Sequence, residues 1–333
     1  MKAMVINSFG GPDVFEQATF PTPYAGTGEV VIKIAASSVN PVDYKIRDGR
    51  GSFLAQSHPT ILHPDASGTI SEIGDGVTGF GVGDRVMSFA TGISGKPGAL
   101  AEYMAADARM IARIPDNLSF EQAAALPLVG VTSWYNIIEA AAAGPGKSIL
   151  IMGGTGGVGH IALQLAKWKG AFVAAACGSD KKCDMALELG ADAVINYRTA
   201  DPADFAVLAP GGKGFDVVFN TPGLPSVNQS VAAAKFGGMI ADILGDFPTE
   251  PGFQMKWLSF KSTFAGHEIV FGENPQRVGD ILAELSTLAA QGVIKPLLDA
   301  STFTFTQVGA AHVHAKHGSP VGKVVLTQDL LPG

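Results

Sequence analysis

The sequence predicts an α/β protein: a doubly wound parallel sheet covered by helices, joined to a second, β-rich domain. Three observations predict it. Residues 149–170, ILIMGGTGGVGHIALQLAKWKG, read as a buried strand, a glycine turn and a helix. Strand-like and helix-like segments alternate from there to about residue 244, the pattern of a parallel sheet with helices on both faces. Residues 1 to about 120 instead carry short apolar runs broken by Gly and Pro, which suggest a small barrel or sandwich.

Taken in order, the strand candidates of the first part are Met4–Ile6, Val30–Ala35, Thr69–Ile73, Asp84–Ser88 and Ala101–Met104. Turn signals separate them: Gly10-Gly11-Pro12, Gly26-Thr27-Gly28, Gly74-Asp75-Gly76 and the stretch from Gly79 to Gly83. From Ser119 the period lengthens. Glu121–Leu126 and Ser133–Ala143 read as helices, and Ser119 with Gln122 makes a capping box for the first. Strand–helix units follow: Ile149–Met152 and a helix from Gly157, Phe172–Ala176 and Asp180–Leu189, Ala193–Asn196 and a short helix near Pro202–Ala209. Asp216–Phe219, a helix from Ser226, and Gly238–Leu244 complete the alternation. Beyond Gly245, Thr263–Phe271 is expected to be one more strand. Val278–Ala290 is expected to be a helix burying Val278, Ile281, Leu282, Leu285 and Leu288. Phe303–Phe305 and Lys323–Leu326 read as short strands that rejoin the first domain.

The 333 residues are 47% hydrophobic and 16% charged, which marks a globular chain with a sizeable core. The net charge of −7 gives no electrostatic reason for a nucleic-acid or anionic-membrane partner. No uncharged apolar run reaches membrane-spanning length. The start, MKAMVINSFGGPDVFE, lacks a signal-peptide apolar core, and Cys177 and Cys183 make no disulfide framework. A cytoplasmic protein is therefore expected.

A strand, glycine turn and helix in this order bind a dinucleotide pyrophosphate on backbone amides at the helix mouth. Gly153 is assigned the sharp turn, Gly156 the close approach of phosphate, and Gly159 the helix–strand contact. Thr155, Gly157 and Val158 complete the cradle. A glycine-rich turn that binds nothing is the alternative, and the flanking strand and helix argue against it. A free ribose 2′-hydroxyl calls for an acid at the tip of the second strand. Here the tip is Cys177-Gly178-Ser179. Ser179 and Lys182 offer a hydroxyl and an ammonium instead, which suits a 2′-phosphate and so NADPH. The plainer reading makes Ser179 an N-cap and Lys182 a solvated charge. Asp180 is the rival sign, but it sits within the helix start.

The chain resembles the medium-chain dehydrogenase/reductase superfamily, in its zinc-independent quinone oxidoreductase branch. The resemblance is carried by SSVNPVDYKIRDG at 37–49, HPDASGTISEIGDGV at 63–77 and GVGDRV at 81–86. It continues with LPLVGVTSWY at 126–135, the glycine turn, LGADAVINY at 189–197 and GKVVL at 322–326. It implies a GroES-like β-barrel catalytic domain over 1–122 and 267–333, and a Rossmann dinucleotide-binding domain over 123–266. It implies that Lys182 and Tyr197 contact the 2′-phosphate, that Thr132 lies beside the nicotinamide, and that Phe264 and Gly266 present backbone to its carboxamide. Asn40 stands near the place of the catalytic cysteine of the zinc enzymes, and Pro64 takes the place of a histidine. The cysteines of their structural zinc lobe are missing. No metal is expected, although His63, Asp65 and Asp43 carry donor atoms.

The implied reaction is hydride transfer from NADPH to a quinone or an α,β-unsaturated carbonyl. Asn40 is the first candidate catalytic donor, with an Asx cap on the helix near Pro41 as its structural alternative. Tyr44 is the second, as donor or aromatic wall. Asp43 and Arg47 are expected to pair along that helix, and His312 and His314 to lie on the surface. Other readings are an enoyl-thioester or alkenal reductase, and a NADPH-binding protein without turnover. A homodimer is expected, with 263–271 as the strand that extends the sheet across a two-fold axis.

Overall fold

The computed structural model describes residues 1–55, 58–201, 203–224 and 226–330. Pro202, at the start of the short helix expected near it, lies outside them. The chain divides into two compact units, Met1–Leu128 with Gly266–Gly333, and Val129–Ala265.

The first unit is built on a seven-stranded sheet in which Phe303–Thr304, Val325–Thr327, Glu29–Ser38, Asp65–Ile73, Arg85–Phe89 and Ile111–Arg113 lie side by side. Tyr103–Asp107 also pairs with Glu29–Ser38. Glu29–Ser38 can serve three partners because it is long and irregular: its register against Asp65–Ile73 shifts at Val31/Ile32 and at Ile34/Ala36. Such bulges bend a strand and divide its edge between neighbours. The C-terminal strand Val325–Thr327 pairs antiparallel with this central strand, so the chain end does rejoin the first domain. Helix Pro41–Arg47 follows the strand directly, with proline at its first turn. The helix Phe120–Ala124 starts at the expected Ser119–Gln122 capping box. The Leu128 amide donates to Asp65 Oδ1 at 2.7 Å, within the same unit.

The second unit holds a six-stranded, all-parallel sheet. Its order is Ala193–Asn196, Phe172–Cys177, Ser148–Met152, Phe215–Asn220, Ala234–Asp242, Ser259–Ser262. The order reverses between Ser148–Met152 and Phe215–Asn220, the point where doubly wound sheets bind nucleotides. Ser148–Met152 is buried along its whole length, as a strand covered on both faces must be. Leu150, Met152, Val218, Ile240, Phe205 and Phe215 form part of one core.

Three expectations are corrected. Thr263–Phe271 is not a strand: the edge strand is Ser259–Ser262, and His267–Phe271 is a short helix ended by Gly272 at φ 71°. The left-handed glycine stops a helical turn, a signal that the apolar run Ile269-Val270-Phe271 masked. The expected helix Ser133–Ala143 begins earlier, at Pro127, and turns into a π-helix over Trp134–Ala140. Asn136 Nδ2 donates to the Thr132 carbonyl at 2.8 Å and Ser133 Oγ to that of Val129 at 2.7 Å, so side chains compete for the helical ladder. His312 is fully buried in helix Val308–His317, not on the surface.

Candidate functional site

In the second unit the glycines divide the work as their positions require. Gly153 ends its strand at φ 76°, which only glycine adopts cheaply. A Cβ on Gly159 would stand 2.1 Å from the Gly153 carbonyl oxygen, so helix start and turn meet backbone to backbone. A Cβ on Gly154 would stand 2.6 Å from that of Ala175 on the neighbouring strand, a packing role that the sequence reading did not assign. Gly156 is different: among the described residues, besides the Gly153 oxygen at 3.2 Å, nothing is found within 4 Å of its open side. Its amide is used by that same oxygen at 2.9 Å. Among the described residues, the amides of Gly157, Val158 and Gly159 donate to no backbone carbonyl. They head the ten-residue helix Gly159–Trp168, whose positive dipole end favours an anion. Thr155 is buried and its side chain bonds Cys177. The residues therefore fit a diphosphate: a cradle that a Cβ on Gly156 would fill, with amides at its rim.

At the tip of the second strand, Ser179 is the N-cap of helix Asp180–Glu188 and accepts from the Lys182 amide at 3.3 Å. The capping reading holds, and the hydroxyl proton is not used by it. Asp180 Oδ1 accepts from Asn196 Nδ2 at 2.8 Å, so the rival acid is engaged with the third strand. Tyr197 is 38% exposed, and its hydroxyl lies 2.6 Å from where a Gly178 Cβ would be. Ser179 and Tyr197 thus adjoin one glycine, and Lys182 follows in the first turn of the helix that Ser179 caps.

In the first unit, Asn40 is 1% exposed and its carboxamide is committed at both ends. Nδ2 donates to Asp65 Oδ2 at 2.7 Å, and Oδ1 accepts from Lys323 Nζ at 2.5 Å. The second Nδ2 hydrogen is directed at the Ser38 carbonyl at 3.4 Å, so donation to a substrate would require a buried bond to be given up. Asn40 heads the helix through its backbone amide, which donates to Asp43 Oδ2 at 2.7 Å. Asp65 is the hub: it also accepts from Ser38 Oγ at 2.7 Å, and the Lys323 ammonium sits 3.3 Å away. Burial lowers the Lys323 pKa, with the charge of Asp65 opposing, and burial raises that of Asp43 well above the usual carboxylate value.

A second buried chain of bonds adjoins it, and its hydrogens can be assigned. Ser37 Oγ donates to the Asp65 carbonyl at 2.7 Å, so the His63 Nδ1 at 3.1 Å from that hydroxyl must be the donor. His63 Nε2 then accepts from His312 Nε2 at 2.9 Å, and His312 Nδ1 accepts from Arg47 Nη1 at 3.3 Å. Both rings are neutral. Burial drives the His63 pKa well down, and burial with the Arg47 charge drives that of His312 down to about 3. The 3.9 Å approach of His63 Nε2 to Asp43 is therefore no ion pair. Arg47 bonds His312 and the Gly10 carbonyl rather than pairing with Asp43, as a helix-spacing argument expected. These donors do not fit a zinc ion: those of His63 and Asp65 are committed to neighbours, and an ammonium already neutralises Asp65. Among the described residues no group of three or more His, Cys, Asp or Glu is placed to hold a metal.

Tyr44 is half-buried, packs edge-on to His312 with ring centres 6.5 Å apart, and carries the Lys316 ammonium 5.8 Å over its ring. Burial and the Asp43 charge raise its pKa, so it stays a hydroxyl donor. Thr132 is buried within helix Pro127–Ser133. Phe264 is 44% exposed at the end of the second unit, and Gly266 precedes helix His267–Phe271 as its N-cap. Sequence reasoning missed Lys323 and the His63–His312 contact, whose partners lie far apart along the chain. It also missed Arg198, which the pairing of Asn196 with Cys177 brings to the strand tip.

Comparison with known proteins agrees with this geometry. Residues 26–116 match the family described as "Alcohol dehydrogenase GroES-like domain", and residues 157–267 match "Zinc-binding dehydrogenase". The chain is 37% identical to the "Chloroplast envelope quinone oxidoreductase homolog" of Arabidopsis thaliana, over 98% of each chain. It is 32% identical to the "NADPH-dependent alkenal/one oxidoreductase, chloroplastic" of the same plant, over 98% of this chain and 79% of the relative. The crystal structure of Escherichia coli quinone oxidoreductase complexed with NADPH superposes with a TM-score of 0.86 at 27% identity, covering 98% of this chain and 100% of the other.

Proposed function

This chain belongs to the medium-chain dehydrogenase/reductase superfamily, in its quinone oxidoreductase branch, and from that premise we propose a zinc-independent, NADPH-dependent reductase that transfers a hydride to quinones or α,β-unsaturated carbonyls. The observation that carries the proposal is the glycine turn, where Gly153 and Gly159 touch through backbone and three amides stand at the mouth of a helix. The relatives' names, a quinone and an alkenal/one oxidoreductase, support the substrate class.

Gly157, Val158 and Gly159 would hold the diphosphate by their amides, with Gly153, Thr155 and Gly156 shaping the turn. Ser179, Lys182 and Tyr197 would hold the 2′-phosphate, and Thr132, Phe264 and Gly266 are the residues that the resemblance assigns to the nicotinamide. When bound, NADPH supplies the hydride. Tyr44 offers its hydroxyl to the oxygen on which negative charge develops, and its raised pKa keeps the proton in place. Asn40 positions: it fixes the start of the helix that carries Tyr44 and is itself fixed by Asp65 and Lys323. A panel of quinones, alkenals and enones, offered with NADPH and followed at the reduced-nicotinamide absorbance, tests the proposal. Turnover of at least one class supports it, and NADPH binding without oxidation by any member rejects it.

The assembly we propose is a homodimer joined at the sheet edge Ser259–Ser262, which is flanked by the exposed Phe236 and Trp257. Light scattering at the 34.3 kDa mass of one chain would reject it. No helix among the described residues is long and apolar enough to cross a membrane. A cytoplasmic location is our further proposal, supported by two free, buried thiols at Cys177 and Cys183, as reducing compartments maintain. Recovery from an oxidising compartment on cell fractionation would overturn it.

A further inference from the structure

The strand tip proposed to take the 2′-phosphate holds a cation that the resemblance did not provide. Asn196 pairs with Cys177 across the parallel strands, and the Tyr197 amide donates to the Cys177 carbonyl at 3.0 Å. The two residues after Asn196 therefore leave their strand beside the Cys177-Gly178-Ser179 tip. A Cβ on Gly178 would lie 2.6 Å from Tyr197 Oη and 3.7 Å from Arg198 Nε. The phenol and the guanidinium thus flank the bare face of that glycine. Arg198 is exposed, and among the described residues its guanidinium has no hydrogen-bond or ion-pair partner. The nearby acid, Asp180, is bonded to Asn196 instead. In a chain of net charge −7, an unpaired guanidinium at the tip where the ribose 2′-position docks is a site for an anion.

We infer that Arg198 binds the 2′-phosphate of NADPH, closing a clamp whose other members are Tyr197, Ser179 and Lys182. The inference rests on the NADPH reading given above. A guanidinium fork meets two phosphate oxygens at once, whereas the Lys182 ammonium acts as a point charge. Gly178 is small so that both Tyr197 and Arg198 can lie across it.

Calorimetric titration of the wild type, Arg198→Ala and Arg198→Lys with NADPH, NADH, adenosine 2′,5′-bisphosphate and 5′-AMP tests this without catalysis. The expected result is a loss of about ten-fold, or about 1.4 kcal/mol, for NADPH and the bisphosphate in Arg198→Ala. Affinities for NADH and 5′-AMP are expected to stay within about two-fold, and Arg198→Lys to fall between. A wild type that favours NADPH, with an Arg198→Ala variant that binds it equally well, overturns the Arg198 assignment alone. Equal losses for all four ligands also overturn it, since they mark a distorted tip. A wild type that binds NADPH and NADH alike overturns the cofactor reading beneath it.

Discussion

Lys182 and His312 show how differently single residues can be read from a sequence. Ser179 and Lys182 could be singled out because a strand tip is a local feature: the residues after Phe172–Cys177 decide which ribose it can accept, whereas Tyr197, which follows another strand, came from the resemblance alone. Lys182→Ala is expected to raise the KM for NADPH at least about ten-fold, as loss of a charge-assisted bond would, and to leave that for NADH nearly unchanged. Equal effects on both in steady-state kinetics would remove the assignment. Asn40 was legible only as a polar residue in a suggestive place, because its partners Asp65 and Lys323 lie 25 and 283 positions away. His312 was misread for the same reason, since its neighbours Arg47 and His63 come from distant segments. Its neutrality has a consequence for stability. The folded pKa, about 3, lies below the ordinary 6.5, so the unfolded chain binds the proton more readily between these values. Stability is full above about pH 6.5 and falls as the pH drops toward 3, by about 2 kcal/mol for this residue at pH 5. His63, lowered in the same direction, adds to the slope. Asp43, raised, opposes it at low pH. Denaturant unfolding between pH 7 and pH 5 is therefore expected to show a shallower decline for His312→Gln than for the wild type. Parallel curves would contradict the buried neutral ring.

At the scale of elements, the strand–turn–helix at 148–168 could be read directly because its parts are contiguous and its glycines have separate steric duties. Gly159→Ala is the sharpest test. A Cβ 2.1 Å from a backbone oxygen has no rotamer to escape into, so the turn must open. The variant is expected to lose about 1–3 kcal/mol of stability and more than about ten-fold in NADPH affinity, measured by chemical melts and by titration. Unchanged binding would mean that the turn is only a connection. The π-helix at Trp134–Ala140 and the short helix at His267–Phe271 were not legible. The first depends on Asn136, which donates to the Thr132 carbonyl and accepts from Thr263 Oγ1 at 3.1 Å, a contact no periodicity reports. The second hides in an apolar run too short for its period to separate helix from strand.

For the whole molecule, the alternation of segments was enough to establish a parallel sheet and a β-rich partner unit, because layer architecture follows from which faces are apolar. What the alternation could not give was the chemistry of the substrate, which depends on side chains from distant segments. On the function proposed above, Tyr44 would separate the two substrate classes. A quinone gains aromaticity on reduction and needs little proton help, whereas an enone passes through an enolate that wants a donor. Tyr44→Phe is therefore expected to lower kcat/KM for enones by about 10²-fold, near the lower end for loss of one positioned donor, and that for quinones by much less. Equal losses in parallel assays would take Tyr44 out of the reaction.

The most direct measurement follows the hydrogen itself. The chain, treated with a chelator, would be given NADPH carrying deuterium at the transferable C4 position together with an enone, and the product read by NMR. Deuterium on the carbon β to the carbonyl, in amounts matching the NADPH consumed, is the result this account predicts. A product whose new β-hydrogen comes from solvent, or turnover that vanishes with the chelator and returns with zinc, would contradict it.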